Sequence, residues 1–341
     1  MTLLPYLHRV AEREDLSAAE AEEVMGAILG GEASVAQIAA FLVALRMKGE
    51  TAEELAGFAR AMRRMASPLG LEPGEGPLLD TCGTGGDGLG TFNISTIAAL
   101  VAAGAGVRVA KHGNRSISSA CGSADVLERL GVKIAQRPEA AARAIREVGI
   151  GFLFAPSYHP AMKHAQPARL DLKMRTVFNL LGPLTNPAGA TAQLVGASSE
   201  RAAELMAEAL AALGLTRGFV VHGSDGLDEI TTTGPTLVLE IRDGRVSRRT
   251  LRPEDFRVAP AAPEDLRGGD ADLNAEIARS VLRGERGPRR EIVLVNASAA
   301  LVAAGRAWDF CQGMLLAAES IDSGAAWRKL EQLAAFTQQS A

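Results

Sequence analysis

From Pro77 to Pro156 the chain alternates short apolar runs with helix-length segments: PLLDT, NISTIAALVAAGAG, VRVAKHG, SADVLERLG, PEAAARAIREVG and GFLFAP. Strands separated by helices cannot pair as tight hairpins. They need crossover connections, and crossovers lay helices over a parallel sheet. The alternation resumes after Pro187 with AQLVGAS, the helix ERAAELMAEALAALGL and the strand GFVVHG. A hairpin is expected in TLVLEIRDGRVSRRT, because Asp243-Gly244 suits a two-residue turn. From Asp272 onward the pattern is helical.

The first 67 residues are of another kind. Ser17, Ser34 and Thr51 each stand where a side-chain oxygen can cap a helix, and Gly30-Gly31 stops the first of these. Between the two patterns lies SPLGLEPGEGP, Ser67 to Pro77, whose Pro and Gly content marks a linker. A length of 341 residues favours two domains. The expected fold is therefore α/β: a small all-helical domain, residues 1–70, beside a large α/β domain, residues 75–341, with a mainly parallel central sheet. His159 to Pro187 breaks the alternation; it reads as long, mostly helical and bounded by prolines. Part of 160–190 is expected to join the helical domain and make it discontinuous.

Composition removes several classes of function. With 36 Lys and Arg against 40 Asp and Glu, the net charge is −4. A nucleic-acid binder would show a basic stripe, and none is visible; a local cluster can still bind phosphate on an acidic protein. Cys82, Cys121 and Cys311 are few and odd in number, which fits a reducing compartment, and their spacing fits no zinc site. The N-terminus, MTLLPYLHRVAERED, carries acids too early for a signal peptide. The longest apolar stretch, Ile94 to Val107, is too short to span a bilayer. The expected location is the cytoplasm, with no membrane partner.

Three segments at expected strand ends carry chemistry. In DTCGTGGDGLGTFNIST, Asp80 to Thr96, glycines let backbone N–H groups approach an anion, and a helix N-terminus near Asn93 adds its positive end. The run lacks the GK[ST] of a Walker loop and the spacing of a dinucleotide loop. In KHGNRSISSACGSADVLERLG, Lys111 and Arg115 are cations, Asn114, Ser116, Ser118 and Ser119 donate hydrogen bonds, and Ser123 is expected to cap the next helix. Two adjacent strand ends opening into donor-rich loops make a pocket at the carboxyl edge of a sheet. In HGSDGLDEITTTG, Asp228 and Glu229 are adjacent acids that suit Mg²⁺ beside a phosphate site. Each segment alone also has a bland reading: a tight turn, a solvated basic turn, a solvated acidic loop.

Taken together, GTGGD, N-x-S-T, KHGNR with its serine-rich tail, RLDLKMRTVFNLLGPLTNP and the DE pair closely resemble the anthranilate phosphoribosyltransferase family over nearly the whole chain. The resemblance implies the nucleoside phosphorylase-like fold, a homodimer through the helical domain, PRPP and anthranilate as substrates, and Mg²⁺ as cofactor. Residue by residue, it implies PRPP on Gly83, Gly86, Asp87, Thr91, Asn93, Ile94, Ser95 and Thr96. It continues that site through Lys111, His112, Gly113, Asn114, Arg115, Ser116, Ile117, Ser118 and Ser119 to Ser123. It implies Mg²⁺ on Ser95, Asp228 and Glu229, and anthranilate against Gly83, Asn114 and Arg169. His112, Pro156, Tyr158 and His159 would line the anthranilate approach. No residue stands out as a general base. One departure is visible: the family commonly has Glu-Leu-Gly where this chain has Asp171-Leu172-Lys173, and Arg169 and Arg175 keep their places on either side.

Two other readings compete with this one. Pyrimidine nucleoside phosphorylases share the fold but carry Lys-His-Ser-Thr-Gly-Gly at the first loop, unlike the Thr-Cys-Gly-Thr-Gly-Gly-Asp here. A nucleic-acid-binding paralogue would show a basic face and altered Asn114 or Arg169.

Overall fold

The computed structural model describes residues 3–71, 76–116 and 120–339, so Ile117, Ser118 and Ser119 lie outside the described residues. Four helices come first: α1 (Leu4–Ala11), α2 (Ala18–Leu29), α3 (Val35–Lys48) and α4 (Ala52–Arg64). Ser17, Ser34 and Thr51 cap the last three, and Glu20, Gln37 and Glu54 reach back to the cap N–H groups. Each such box satisfies two N–H groups that a helix start leaves bare. Glu54 is fully buried and does more: it also accepts from Leu16 N at 3.0 Å and pairs with Lys48 Nζ at 3.0 Å. One side chain thus starts α4 and anchors the entry to α2.

The α/β part runs β1 (Leu78–Gly83), α5 (Ile94–Gly104), β2 (Arg108–Gly113), α6 (Ser123–Arg129), α7 (Pro138–Glu147) and β3 (Ile150–Phe154). A connector of short helical pieces follows, α8 (Ala155–Tyr158), α9 (Gln166–Leu172) and α10 (Phe178–Leu181), with 3-10 turns at Pro160–His164 and Gly182–Leu184. Its prolines stand in the first turns of these pieces, where a missing N–H costs nothing, so the segment restarts repeatedly instead of forming one long helix. Then come β4 (Ala192–Gly196), α11 (Glu200–Ala212), β5 (Arg217–Gly223), β6 (Thr236–Arg242) and β7 (Arg245–Leu251). Four helices close the chain: α12 (Ala271–Leu282), α13 (Pro288–Ala303), α14 (Phe310–Asp322) and α15 (Ala325–Gln339).

The strands form one sheet, ordered β3-β2-β1-β4-β5-β6-β7; neighbours are parallel as far as β5, and β6 and β7 are antiparallel. The hairpin turn is the expected one, with Asp243 and Gly244 both at positive φ (50° and 75°). From β1 the chain steps outward to β2 and β3; from β4 it steps the other way to β5. The loops leaving β1 and β4 therefore diverge, and such a switch point leaves a crevice at the carboxyl edge of the sheet.

Alternation along the strands separates two cores. Leu194, Phe219 and Val221 pack with α5 and α13, whereas Val195 and Val220 pack on the opposite face with α11. That second core also contains Phe41, Leu42 and Phe58 of α3 and α4, and Ala165, Ala168, Val177, Phe178, Leu181 and Leu184 of the connector. The connector's apolar side chains are thus shared between the helical part and the sheet.

Two local expectations need correction. Lys111, His112 and Gly113 are not loop residues: they still pair with Phe152, Leu153 and Phe154 of β3, because β2 runs to its paired limit. Ser123 does not cap α6. Gly122 holds that position, Asp125 reaches back to its N–H at 2.9 Å, and Ser123 is already helical, with Oγ on the Asn114 carbonyl at 3.3 Å.

Candidate active site

The switch point is built around an acid. Gly83 and Gly196 pair across β1 and β4. A Cβ on Gly83 would lie 2.4 Å from Asp228 Oδ2, and one on Gly196 only 1.5 Å from the Asp228 carbonyl oxygen. The two glycines are therefore a seat that any side chain would fill. Asp228 Oδ2 accepts from Gly85 N at 2.7 Å, and Glu229 Oε1 accepts from Ser95 N, in the first turn of α5, at 3.0 Å. The loop carrying both acids is braced from outside. Asp225 accepts from the Thr231 and Thr233 hydroxyls at 2.7 and 2.6 Å, and the buried Asn296 amide pairs both ways with the Ile230 backbone at 2.9 Å.

These acids sit in an environment that resists their charge. Burial, and then Asp87, push Asp228 up to about 7 against the opposing Gly85 N–H. Burial, and then Asp228, push Glu229 up to about 8; Lys111 and the Ser95 N–H oppose the shift. Lys111 is itself buried, donates to the Thr81 carbonyl at 2.5 Å, and is lowered by burial while Asp80 and Glu229 pull the other way. Asp80, also fully buried, accepts from His112 N at 3.1 Å and from Asn186 Nδ2 at 2.8 Å, which ties the end of the connector under the site.

The first loop leaves β1 through Gly85 and Gly86, both at positive φ (65° and 69°). Asp87 accepts from Leu89 N at 3.1 Å, and Thr91 bridges to Arg267. Asn93 donates to the Cys121 carbonyl at 3.2 Å and accepts from Asn274 at 3.0 Å, joining the first loop to the second. Among the described residues the buried Thr84 and Thr96 hydroxyls have no partner, and the Ile94 side chain lies in the core.

In the second loop, Gly113 is close-packed: a Cβ there would lie 2.3 Å from Ser123 Oγ. Arg115 is turned onto α6, where its guanidinium pairs with Asp125 at 2.8 Å and Glu128 at 2.7 Å. Asp125 also accepts from Ser116 N at 3.1 Å, and Asn114 Oδ1 from Arg115 N at 2.8 Å.

The connector brings the remaining groups. The His112 and His159 rings stand 5.2 Å apart; among the described residues neither buried Nε2 has a partner, nor has the buried Tyr158 hydroxyl. Burial, reinforced by His159, pushes His112 down to about 3, and burial pushes His159 down to about 4, so both are neutral near pH 7. Pro156 is exposed. The Arg169 guanidinium lies 5.1 Å from the Phe178 ring centre and is lowered by burial. Among the described residues it makes no ion pair or side-chain hydrogen bond. Arg175, in contrast, reaches the Gly85 and Gly86 carbonyls at 2.8 and 3.0 Å and Ser198 Oγ at 3.0 Å.

Gly196, Asp225, Asn296, Asp80, Asn186 and the grip of Arg175 were not singled out from the sequence. Asp80, Asp225, Asn186 and Arg175 lie within the motifs quoted above and Gly196 closes an apolar run, but their contacts were not legible; Asn296 carried no signal.

Two family models match the chain: the glycosyl transferase family helical bundle domain over residues 4–66, and the glycosyl transferase family a/b domain over residues 75–327. An anthranilate phosphoribosyltransferase of Solibacter usitatus is 70% identical, across 98% of this chain and 99% of its own. One from Geobacter sulfurreducens is 53% identical, across 96% and 97%. Among solved structures, anthranilate phosphoribosyltransferase from Thermus thermophilus superposes with a TM-score of 0.92 at 48% identity, covering 97% of this chain and 99% of that one. The Saccharomyces cerevisiae enzyme in complex with PRPP and Mg gives a TM-score of 0.90 at 28% identity, covering 99% and 98%. Full-length identity at this level, on a matching helical-plus-α/β fold, places the chain in the anthranilate phosphoribosyltransferase family, glycosyltransferase-type enzymes that transfer a pentosyl group.

Proposed function

We propose that this chain transfers the 5-phosphoribosyl group of PRPP to the amine of anthranilate, releasing pyrophosphate and N-(5-phosphoribosyl)anthranilate for tryptophan synthesis. The observation that supports it most is the acid seat at the switch point: two carboxylates, raised by burial, beside a loop of backbone donors and the first turn of α5.

The donor set fits Mg²⁺. Asp228 and Glu229 offer hard oxygens, and the Ser95 hydroxyl is adjacent to the N–H that binds Glu229. Mg²⁺ takes one or two carboxylates and completes its shell with water and phosphate. When bound, Mg²⁺ would neutralise the pyrophosphate and make it a better leaving group.

The chain's own residues position the reactants. Backbone N–H groups of Gly86 and Asp87 in the first loop, with the Ser95 and Thr96 hydroxyls in the first turn of α5, hold phosphate oxygens. As the C1–oxygen bond lengthens, the ribose gains oxocarbenium character and the anthranilate amine attacks the opposite face. Neutral His112 and His159 add no positive charge that would oppose that carbon. Arg169 pairs with the anthranilate carboxylate and fixes the amine. The aryl amine is neutral near pH 7 and needs orientation more than deprotonation.

The helical domain of this reading is residues 1–70 with the connector, as their shared core supports. Exposed apolar side chains, Leu4 on α1, Val35 and Met47 on α3 and Leu170 on α9, support a homodimer through it. Three free thiols support a cytoplasmic location. Purified protein with PRPP, Mg²⁺ and anthranilate should extinguish anthranilate fluorescence as product forms. Persisting fluorescence with intact PRPP would overturn the proposal.

A further inference from the structure

We propose that Arg175 is a positioning residue for PRPP, one that shapes the first loop into an anion-binding pair by holding two of its carbonyls; this rests on the PRPP reading above. Its guanidinium donates to Gly85 O at 2.8 Å and Gly86 O at 3.0 Å, and a second nitrogen is fixed by Ser198 Oγ at 3.0 Å. A trans peptide points its C=O and the following N–H in opposite directions. With both carbonyls turned onto Arg175, the N–H groups of Gly86 and Asp87 must point away from it. Among the described residues nothing accepts from either N–H. Consecutive glycines at φ 65° and 69° supply the curvature, and the two N–H groups are left on the face away from Arg175, where backbone donors can bind an oxyanion.

The loop is gripped from its other side as well, since Gly85 N donates to Asp228 at 2.7 Å. Gly85 is therefore held by its N–H at the metal end and by its carbonyl at Arg175. Flexible glycines would otherwise sample many shapes, and fixing them beforehand removes an ordering cost from binding. The Arg175 backbone has a separate anchor: Arg46 of α3 donates to its carbonyl. That contact does not involve the Arg175 side chain, so the connector stays attached to the helical part when the side chain is changed.

The test uses the full chain with Mg²⁺. PRPP affinity is measured by calorimetry, and KM for each substrate by steady-state assay, in wild type, Arg175→Met and Arg175→Lys. Arg175→Met should weaken PRPP by about ten- to a hundredfold while the anthranilate KM and the melting temperature stay close to wild type. Lysine keeps the charge but lacks the planar fork, so Arg175→Lys should recover only part of the loss. Wild-type binding of PRPP with unchanged affinity in Arg175→Met overturns the role of Arg175 alone. Equal losses for both substrates with a lowered melting temperature would show a structural residue and overturn it too. A wild-type chain that failed to bind PRPP would remove the parent reading, and this inference with it.

Discussion

The acid seat and the connector are opposites. At the seat, Asp228 and Glu229 are packed so that burial, then a neighbouring carboxylate (Asp87 for Asp228, Asp228 for Glu229), pushes their protons on. On the connector, Arg169 is packed over Phe178 so that burial works against its positive charge, with no carboxylate in reach among the described residues. A protein selected only for stability would pair such charges or replace them, because unpaired buried charge is costly. Both regions instead keep an electrostatic debt that a ligand of opposite sign would relieve. On the proposed reading substrate binding and charge compensation are the same event: a cation with phosphate would relieve the seat, and a carboxylate would relieve the connector.

The largest effect should come from removing charge at the seat. Asp228→Asn with Glu229→Gln keeps an oxygen acceptor for Gly85 N and Ser95 N but removes the anionic ligands. Turnover should fall by about a hundredfold or more, while the melting temperature without substrate should not drop. A double variant that turned over PRPP at the wild-type rate would detach the seat from the reaction.

The connector should respond next, and selectively. A hydrogen bond to a charged group is worth about 1.5–3 kcal/mol, so Arg169→Ala should raise the anthranilate KM by about ten- to a hundredfold and leave PRPP much less affected. Arg169→Lys should restore only part, since a lysine cannot form the paired contact of a guanidinium with a carboxylate. Equal losses for both substrates, or none for anthranilate, would take Arg169 out of that site.

How much of this contrast could be read from the sequence depended on distance along the chain. The alternation of apolar runs and helices revealed the α/β class, and GTGGD, KHGNR and the DE pair marked three strand ends because each signal is local. Strand order was not legible, since crossovers leave open which strand lies beside β1. Nor were the braces: Asn296 clamps Ile230 from 66 residues away, and Arg175 reaches Gly85 across 90. Lys111 was read as a loop cation and proved to be a buried strand residue, because a short apolar run does not announce how far its pairing extends.

Proton linkage sharpens the comparison without substrate. The two acids are raised to about 7 and about 8 from near 4 in an unfolded chain. A raised group contributes stability that is full below its unfolded pKa and is lost as pH rises through the folded one. His112 and His159 are lowered to about 3 and about 4 from about 6.5, so their contribution is present above 6.5 and is lost as pH falls through 4 and 3. Without Mg²⁺, the double seat variant should therefore gain melting temperature over wild type as pH rises from about 5 to about 8. His159→Asn should gain over wild type as pH falls from about 7 to about 4. Parallel pH profiles for wild type and either variant would contradict the corresponding shift.

The smallest effect lies at the end of α9, where the chain departs from the family pattern. Lys173 follows Leu172 in the left-handed region, at φ 46°, and its N–H closes the helix on the Arg169 carbonyl at 3.3 Å. Glycine is the residue that ends helices this way without steric cost, which is the physical reason for the family's Glu-Leu-Gly. A side chain there costs about 1–2 kcal/mol, and glycine's extra freedom in the unfolded chain offsets about 0.4–1 kcal/mol of the gain. Lys173→Gly should therefore stabilise the protein by about 0.5–1 kcal/mol, a rise of about 1–3 °C in melting temperature. The Lys173 side chain is exposed and glycine keeps the N–H bond to the Arg169 carbonyl, so turnover should be unchanged. Lys173→Ala supplies the control: it removes the same long side chain but keeps the Cβ, and should give none of the gain. If alanine stabilised as much as glycine, the cost would lie in the lysine side chain and not in the backbone beneath Arg169.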